Sequence, residues 1–488
     1  MMNDERGTMN KTFYDLQLNQ MILKLENSRP EIQNLKSKIQ NPVHVVYGGA
    51  NLFKSDTPQK LGRLALKSIE DYAPNFVEFA RAMWLKGADT LPQYLEVIEN
   101  LEKQLRENTE KVKQENFDAW FAWTVYKRTI KKLRREPVED FRIDFEDGYG
   151  IRADAEEDAH AISASDELAK AFLQKTITPF CGFRTKSFQP ETSKRAIRTL
   201  DLFLTNLIEN CGGILPENFV VTLPKIVRKE EVEVLNELLS EFEKQHNLEQ
   251  GAIKVEIMIE TPQAIVNEKG EIALRNLVEA ADGRCTSAHF GAFDYTANLG
   301  ISGVHQHLQH EACNFARQMM QIALSPLNIR LSDSVTIQMP VAVHKGENLT
   351  SGQLKENKCR IEKAWRTHFN NVTNSLINGF YQSWDLHPAQ LPARYAAVYA
   401  FFLESKDEQG KRLKGFVEKA TQANVTGNAF DDAASAQGLL NFFIRALSCG
   451  ALTEDEILEA TNLTLEELRS ASFEKIMDDR PKTAANYI

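Results

Sequence analysis

Lys254-Val-Glu-Ile-Met-Ile-Glu-Thr-Pro-Gln-Ala264 and, one helix-length spacer later, Thr286-Ser-Ala-His-Phe-Gly-Ala-Phe-Asp294 decide the fold. Each opens as an apolar, strand-like run and stops at a carboxylate, Glu260 in the first and Asp294 in the second. A single βα unit separates them. In a parallel α/β architecture this spacing sets both acids on the carboxy-terminal rim of the sheet, the face where such folds keep their chemistry. Two hard oxygen donors on one rim can hold Mg2+, with water or substrate completing its shell. Each acid also has a structural reading. Glu260 can pair with a strand-end base such as Arg184 or Lys225, and Asp294 can cap the helix that starts Tyr295-Thr-Ala-Asn. A charge left at the end of an apolar strand costs several kcal/mol unless a cation or hydrogen bonds compensate it.

The same strand–helix alternation extends outward from this pair. Strands are predicted over 43–47, 141–145, 179–184, 219–223, 253–259, 285–290, 334–343 and 380–384, with helices over 192–209, 229–245, 271–281, 305–324 and 354–378. Eight strands with right-handed crossovers predict an α/β fold of the (β/α)8 TIM-barrel type over 41–390. An open doubly wound sheet is the alternative, and no GxGxxG loop supports it. Strand one is separated from strand two by a helical insertion, about 55–137, with a helix start at Thr57-Pro58 and two long helices expected over 91–136 that break near Asn116. Residues 1–40 carry an apolar stripe (Phe13, Leu16, Leu18, Met21, Ile22 and Leu25) at helical spacing. Residues 391–488 read as an all-α C-terminal domain, with helices over 393–403, 411–422, 433–448 and 454–469 and a loose tail from Asp479. Thr453 and Thr464, each followed by acids, mark helix starts.

Bulk properties exclude several classes. The chain has 488 residues and a net charge of −10, which argues against a dedicated nucleic-acid binder. Its polar, mixed-charge start shows no secretory signal, and no apolar run reaches the roughly 20 residues that span a membrane. Its six cysteines contain no CxxC pair, which suits a reducing cytoplasm and offers no zinc framework.

Further candidates cluster at the other strand ends. Asp144 and Glu146 share a face by strand alternation, and Asp147 begins the loop. These acids can orient a metal-bound water, act as a base, or simply cap the loop. Arg184 can bind a carboxylate or an enolate oxygen bidentately, or pair with Glu146. Lys225 can supply a point charge for substrate or a structural ion pair. His305, His307 and His310 read as a solvated helix end. The basic set Lys127, Arg128, Lys131, Lys132, Arg134 and Arg135 reads as a solvated helix face, with binding of a nucleotide diphosphate such as that of coenzyme A as the alternative. His387 either contacts ligand or locks the loop after the last strand.

In order along the chain, these residues resemble one family. Asp144-Phe-Glu-Asp147 resembles the Asp-Leu-Glu-Asp motif of the citrate lyase β-subunit and malyl-CoA lyase group, the HpcH/HpaI aldolase family. Phe183-Arg184, Leu223-Pro-Lys225, Ile259-Glu260-Thr261, Gly291-Ala-Phe-Asp294 and His387-Pro-Ala-Gln390 are similar to its remaining motifs. The resemblance implies a (β/α)8 barrel that holds Mg2+ (or Mn2+) on Glu260 and Asp294. It implies carbon–carbon lyase or aldolase chemistry through an enolate of a small oxo- or hydroxy-acid or an acyl-CoA thioester. Arg184 would then bind the enolate oxygen or a carboxylate, Glu146 or Asp147 would hold a metal-bound water, and Lys225 would assist. Thr261 belongs to the metal-binding motif, and the Gly291, Ala292 and Phe293 amides would grip a substrate carboxylate. Relatives are commonly homo-oligomers. Phosphoenolpyruvate-type phosphoryl transfer and a non-catalytic, metabolite-binding barrel are the competing expectations. The long insertion and the helical C-terminus depart from simple family members, the C-terminal helices resemble those that malate synthases append to this barrel, and the proton-moving group is not identified.

Overall fold

The computed structural model describes residues 41–426 and 433–480, without side chains over 420–433. The helices expected over 1–40, and all but the first two residues of the tail expected from Asp479, lie outside the described residues. Eight parallel strands close in chain order: β1 (His44–Gly49), β2 (Asp140–Asp144), β3 (Phe180–Arg184), β4 (Phe219–Leu223), β5 (Lys254–Ile259), β6 (Cys285–Phe290), β7 (Arg330–Val335) and β8 (Gln382–Asp385). The ring is completed by β8 pairing with β1, His44 opposite Ser383. The protein is a (β/α)8 barrel.

Five helices separate β1 from β2: α1 (Thr57–Tyr72), α2 (Phe76–Met83), α3 (Leu95–Glu107), α4 (Thr109–Glu115) and α5 (Phe117–Arg135). The predicted break at Asn116 is present, and Asn116 accepts the Ala119 amide at the start of α5. A second break at Asn108 works the same way through the Lys111 amide, so three helices stand where two were expected. The barrel's outer helices are α6 (Asp154–Leu173), α7 (Ser193–Asn210), α8 (Lys229–Gln245), α9 (Pro262–Ile265), α10 (Leu274–Ala280), α11 (Ala292–Asn298), α12 (Glu311–Leu324) and α13 (Ser351–Ile377). Then follow α14 (Leu391–Thr426), α15 (Ala433–Ser448), α16 (Glu454–Thr461), α17 (Leu465–Ser470) and α18 (Phe473–Asp479).

Three expectations are corrected. The apolar run 334–343 is mostly not strand. β7 ends at Val335, Pro340 cannot donate to a ladder, and Ile337, Val341 and Val343 are exposed. The true strand is polar. Its buried Asp333 accepts from Arg317 at 3.1 Å and Ser375 at 2.6 Å. The helices expected over 393–403 and 411–422 are one helix, α14, which runs on through Gly410, since no proline stands between them. The helix expected over 454–469 is two, α16 and α17, parted where Asn462 turns left-handed and Thr464 caps the second.

The barrel's inner wall is less apolar than its strands suggest. Glu256, fully buried on β5, accepts from Arg142 (2.8 Å), Thr222 (2.8 Å) and Ser287 (2.6 Å). His289 lies 2.8 Å from it, and Tyr47 bonds both His289 and Glu256. Above that layer Tyr47, Met258, Val335 and Trp384 form an apolar floor, with Phe293 packed against it.

Candidate functional site

The residues expected to bind metal or substrate or to take part in catalysis by the resemblance lie at the carboxy-terminal ends of strands β2 to β6, on one rim. Asp144 ends β2 and organises its neighbours. Both its oxygens accept from Arg184, at 2.7 and 2.6 Å, and they also accept the Glu146 amide (3.0 Å) and the Gly148 amide (2.7 Å). A side chain at Gly148 would place its Cβ 2.6 Å from Asp144 Oδ2, so close approach rather than unusual backbone geometry explains this glycine. Arg184 therefore pairs first with Asp144, and its free edge reaches Glu146 at 3.2 Å and Asp147 at 3.7 Å. Its guanidinium also sits 4.9 Å over the Tyr47 ring.

Lys225 follows β4 in the left-handed region, φ 52°, which non-glycine residues seldom occupy outside tight turns and functional sites. That turn aims two donors at the rim. Its amide gives Glu260 Oε1 a 2.6 Å hydrogen bond, while its ammonium bonds Glu146 and, at 2.8 Å, Asp147. Burial disfavours the lysine's charge, but the Glu146 and Asp147 carboxylates outweigh it and raise its pKa. Asp147 is held below the usual carboxylate range. Burial works against this, and the hydrogen bond with Glu146 together with Arg184 and Lys225 overcomes it. For Glu146 burial prevails over Arg184 and Lys225, so its pKa is raised.

Glu260 is 1% exposed. Burial is the main reason its pKa is pushed up to about 8; Arg184 opposes the shift, and the Asp294 and Glu146 carboxylates add to it. A Cβ at Gly291 would lie 2.5 Å from Glu260 Oε2, so glycine is what admits this carboxylate to the rim. Asp294 stands in the first turn of α11. It is not the cap, a position taken by Gly291. Burial raises its pKa as well, against the pull of Lys225. Neither structural reading of the two acids accounts for them: Glu260 has no ion pair within 4 Å among the described residues, and Asp294 caps nothing.

Two expectations carried by resemblance are filled differently. The Thr261 hydroxyl donates to Ile226 O and caps α9 through the Ala264 amide at 3.2 Å, which locks the loop beside Glu260. Of the three amides expected to grip a carboxylate, Gly291 N donates to Ile259 O and Ala292 N to Ser334 Oγ, both at 3.0 Å. Phe293 adds its side chain to the site floor. His387 caps the turn Pro388–Gln390 by accepting the Ala389 amide at 3.1 Å, which is its loop-locking reading. Within the basic set, Arg128 is bonded to Glu456 and Lys132 to Glu139, so these two serve packing. His310 caps α12, which begins at Glu311 rather than at His305.

The donor set fits a divalent ion. Among the described residues no group of three or more His, Cys, Asp or Glu side chains is arranged to hold a metal. An ion here would take Glu260 and Asp294 and complete its shell with water or substrate oxygens, as Mg2+ sites with one or two carboxylates do. A cation would also relieve the repulsion that drives Glu260 toward its neutral form.

A family profile described as a domain of unknown function, DUF6986, matches residues 35–476. The chain belongs to the DUF6986 family. The match takes in the barrel, its insertion and nearly all of the described C-terminal helices. No curated protein matches the sequence. Among solved structures, this DUF6986 chain is similar to a citrate lyase from Burkholderia xenovorans LB400, at 18% identity over 69% of this chain and 91% of that one, with a TM-score of 0.48. It is also similar to malate synthase from Haloferax volcanii. The native enzyme at 3 mM glyoxylate is 11% identical over 87% of this chain and 99% of that one, with a TM-score of 0.42. Its magnesium and glyoxylate complex is 13% identical over 70% and 92%, with a TM-score of 0.39. No described helix is long and apolar enough to cross a membrane.

Proposed function

We propose that this rim is the active site of a divalent-metal-dependent carbon–carbon lyase or aldolase acting through an enolate of a small oxo-acid or acyl-CoA thioester. The observation that carries the reading is Glu260: a buried carboxylate, its pKa at about 8, set beside Asp294 with an arginine and a lysine across the rim. Such convergence of perturbed groups at a strand-end rim marks a reactive site. Mg2+ or Mn2+ held by Glu260 and Asp294 would supply Lewis-acid polarisation of a substrate carbonyl.

The chain's own residues account for the rest. Arg184, fixed by its two bonds to Asp144, keeps a positive edge facing the rim and opposes charge developing on an enolate oxygen. Its orientation requires no reorganisation during reaction, because Asp144 also holds the β2 loop. Glu146 is the group suited to move a proton. Its pKa is raised from the carboxylate range and it is only partly buried. Lys225 bridges Glu146 and Asp147 and sets their orientation. The floor of Tyr47, Met258, Trp384 and Phe293 keeps water away from one side of the substrate.

The test is a screen of oxo-acids and acyl-CoA thioesters for Mg2+-dependent release of pyruvate, glyoxylate or acetyl-CoA. The expected result is turnover that Glu146→Gln lowers by about 10²–10⁴-fold in kcat while Mg2+ affinity is kept. Turnover by Glu146→Gln at the wild-type rate would remove its role. Phosphate release from phosphoenolpyruvate instead of carbon–carbon cleavage would replace the reading with phosphoryl transfer.

A further inference from the structure

The opposite, amino-terminal mouth of the barrel holds a second cavity of about 230 Å³. Its polar lining includes Arg330, Arg445, Asn41, Asn328, Gln382 and Tyr381. Arg330 opens β7, and its guanidinium lies 4.9 Å from the Phe180 ring on β3, so the side chain reaches across the barrel end. Its Nε is buried and has no hydrogen-bond partner among the described residues. Arg445, on α15, stacks 3.8 Å over Tyr381 at the cavity's outer side.

Arg330, half-buried with its Nε fully covered, differs from the chain's buried arginines. Arg142 is bonded to Asp140 and Glu256, Arg184 to Asp144, Arg284 to Glu243, Arg317 to Asp333 and Arg394 to Asp385. Among the described residues neither Arg330 nor Arg445 has a carboxylate within 4 Å. The acids whose charge Arg330 feels, Asp140 and Glu256, are already bonded by Arg142, and Gln382 also donates to Asp140 at 3.0 Å. A ring contact recovers only part of what removing a guanidinium from water costs. Burial also pulls the Arg330 pKa down, the direction expected of a cation without a counter-charge.

We propose that this cavity is a binding site for a small oxyanion, phosphate or carboxylate, clamped between Arg330 and Arg445. A planar guanidinium presents paired N–H donors that match two oxygens of either group. Asn41, Asn328 and the Tyr381 hydroxyl add polar groups at the rim of the cavity. The site is independent of the metal reading, because it shares no residue with Glu260, Asp294, Arg184 or Lys225.

The test is thermal unfolding of the full chain with inorganic phosphate, and in a separate arm malonate, at constant ionic strength held with chloride. The expected result is a saturable rise in Tm with one of the two anions. Arg330→Met abolishes it without lowering the anion-free Tm, because it deletes an uncompensated charge. Arg445→Met, on the surface, weakens the apparent affinity at least tenfold. Lys225→Met, which removes a cation from the opposite rim, leaves the response intact and so separates this site from that rim. No saturable shift with either anion overturns the proposal, as does a shift that survives Arg330→Met. A shift lost in Lys225→Met would assign the anion to the opposite rim and overturn it equally.

Discussion

Glu260 is the residue on which the proposed chemistry rests, and its raised pKa gives the protein a pH dependence of definite sign. Its carboxyl titrates near 4.3 in an unfolded chain and at about 8 in the folded one. Between those values the folded state holds a proton that the unfolded state has lost, so the metal-free protein loses stability as pH rises across that window. The expected outcome is a Tm that falls from about pH 5 to about pH 8, and a Glu260→Gln variant whose profile over that range is flatter; parallel profiles would show that Glu260 does not carry the shift. Gly291→Ala tests the same carboxylate sterically. Its Cβ would displace Oε2, so Mg2+ affinity should drop at least tenfold while circular dichroism stays that of the wild type. Residues such as Glu260, Asp294, Arg184 and Lys225 were legible in sequence because each interrupts or ends an apolar run, which places it on the rim. Glu256 and Tyr47 were not legible. They sit inside β5 and β1, and only a closed barrel tells which way an alternating side chain points. Asp144 was legible as an acid, but its role in clamping Arg184 depends on β2 and β3 lying side by side.

Among the elements, β3 shows how packing supports the rim. Phe183, fully buried on the outer face of the strand that ends in Arg184, stacks on Phe203 of α7 at 4.2 Å and meets Phe145 edge-on at 6.2 Å. Phe183→Ala should cost about 3–5 kcal/mol in equilibrium denaturation, because the rings around it cannot collapse fully into the space left. A loss under about 1 kcal/mol would mean that the outer helix shifts inward freely. The strands β4 and β6 were readable to the residue, since both are short, β4 is apolar, and turn signals bound β6 at Asp282-Gly283 and Gly291. β7 was not readable, because its stability comes from a buried Asp333–Arg317 pair rather than from apolar alternation. The apolar stretch after it drew the prediction to residues that line the rim as loop. Pairing of that kind is invisible until α12 is laid against β7.

At the scale of the whole molecule, the C-terminal helices are bound into the barrel. Arg394, near the start of α14, bonds Asp385 at 2.9 Å and Ser383 at 2.6 Å on β8, and the Tyr395 hydroxyl donates to Pro137 O ahead of β2 at 3.0 Å. Asp385 is further held by His44 at 2.6 Å and His368 at 2.8 Å, so β1, β8, α13 and α14 meet at one buried carboxylate. The composition change after Pro388 was legible as a switch to helix. That the first of these helices serves as packing for the barrel was not, because the contact of Tyr395 with Pro137 joins residues more than 250 positions apart. A chain ending at Gln390 should therefore be insoluble or lack a cooperative unfolding transition; a soluble, cooperatively folding product would show that the barrel closes without α14. These contacts close the barrel whose rim carries two carboxylates, an arginine and a lysine, and the proposed chemistry requires that rim to take a divalent ion. Calorimetric titration of Mg2+ tests it most directly. One saturable site in the wild type, lost in Glu260→Ala and in Asp294→Ala while both variants stay folded, is the predicted result. Unchanged Mg2+ binding in either variant would contradict it.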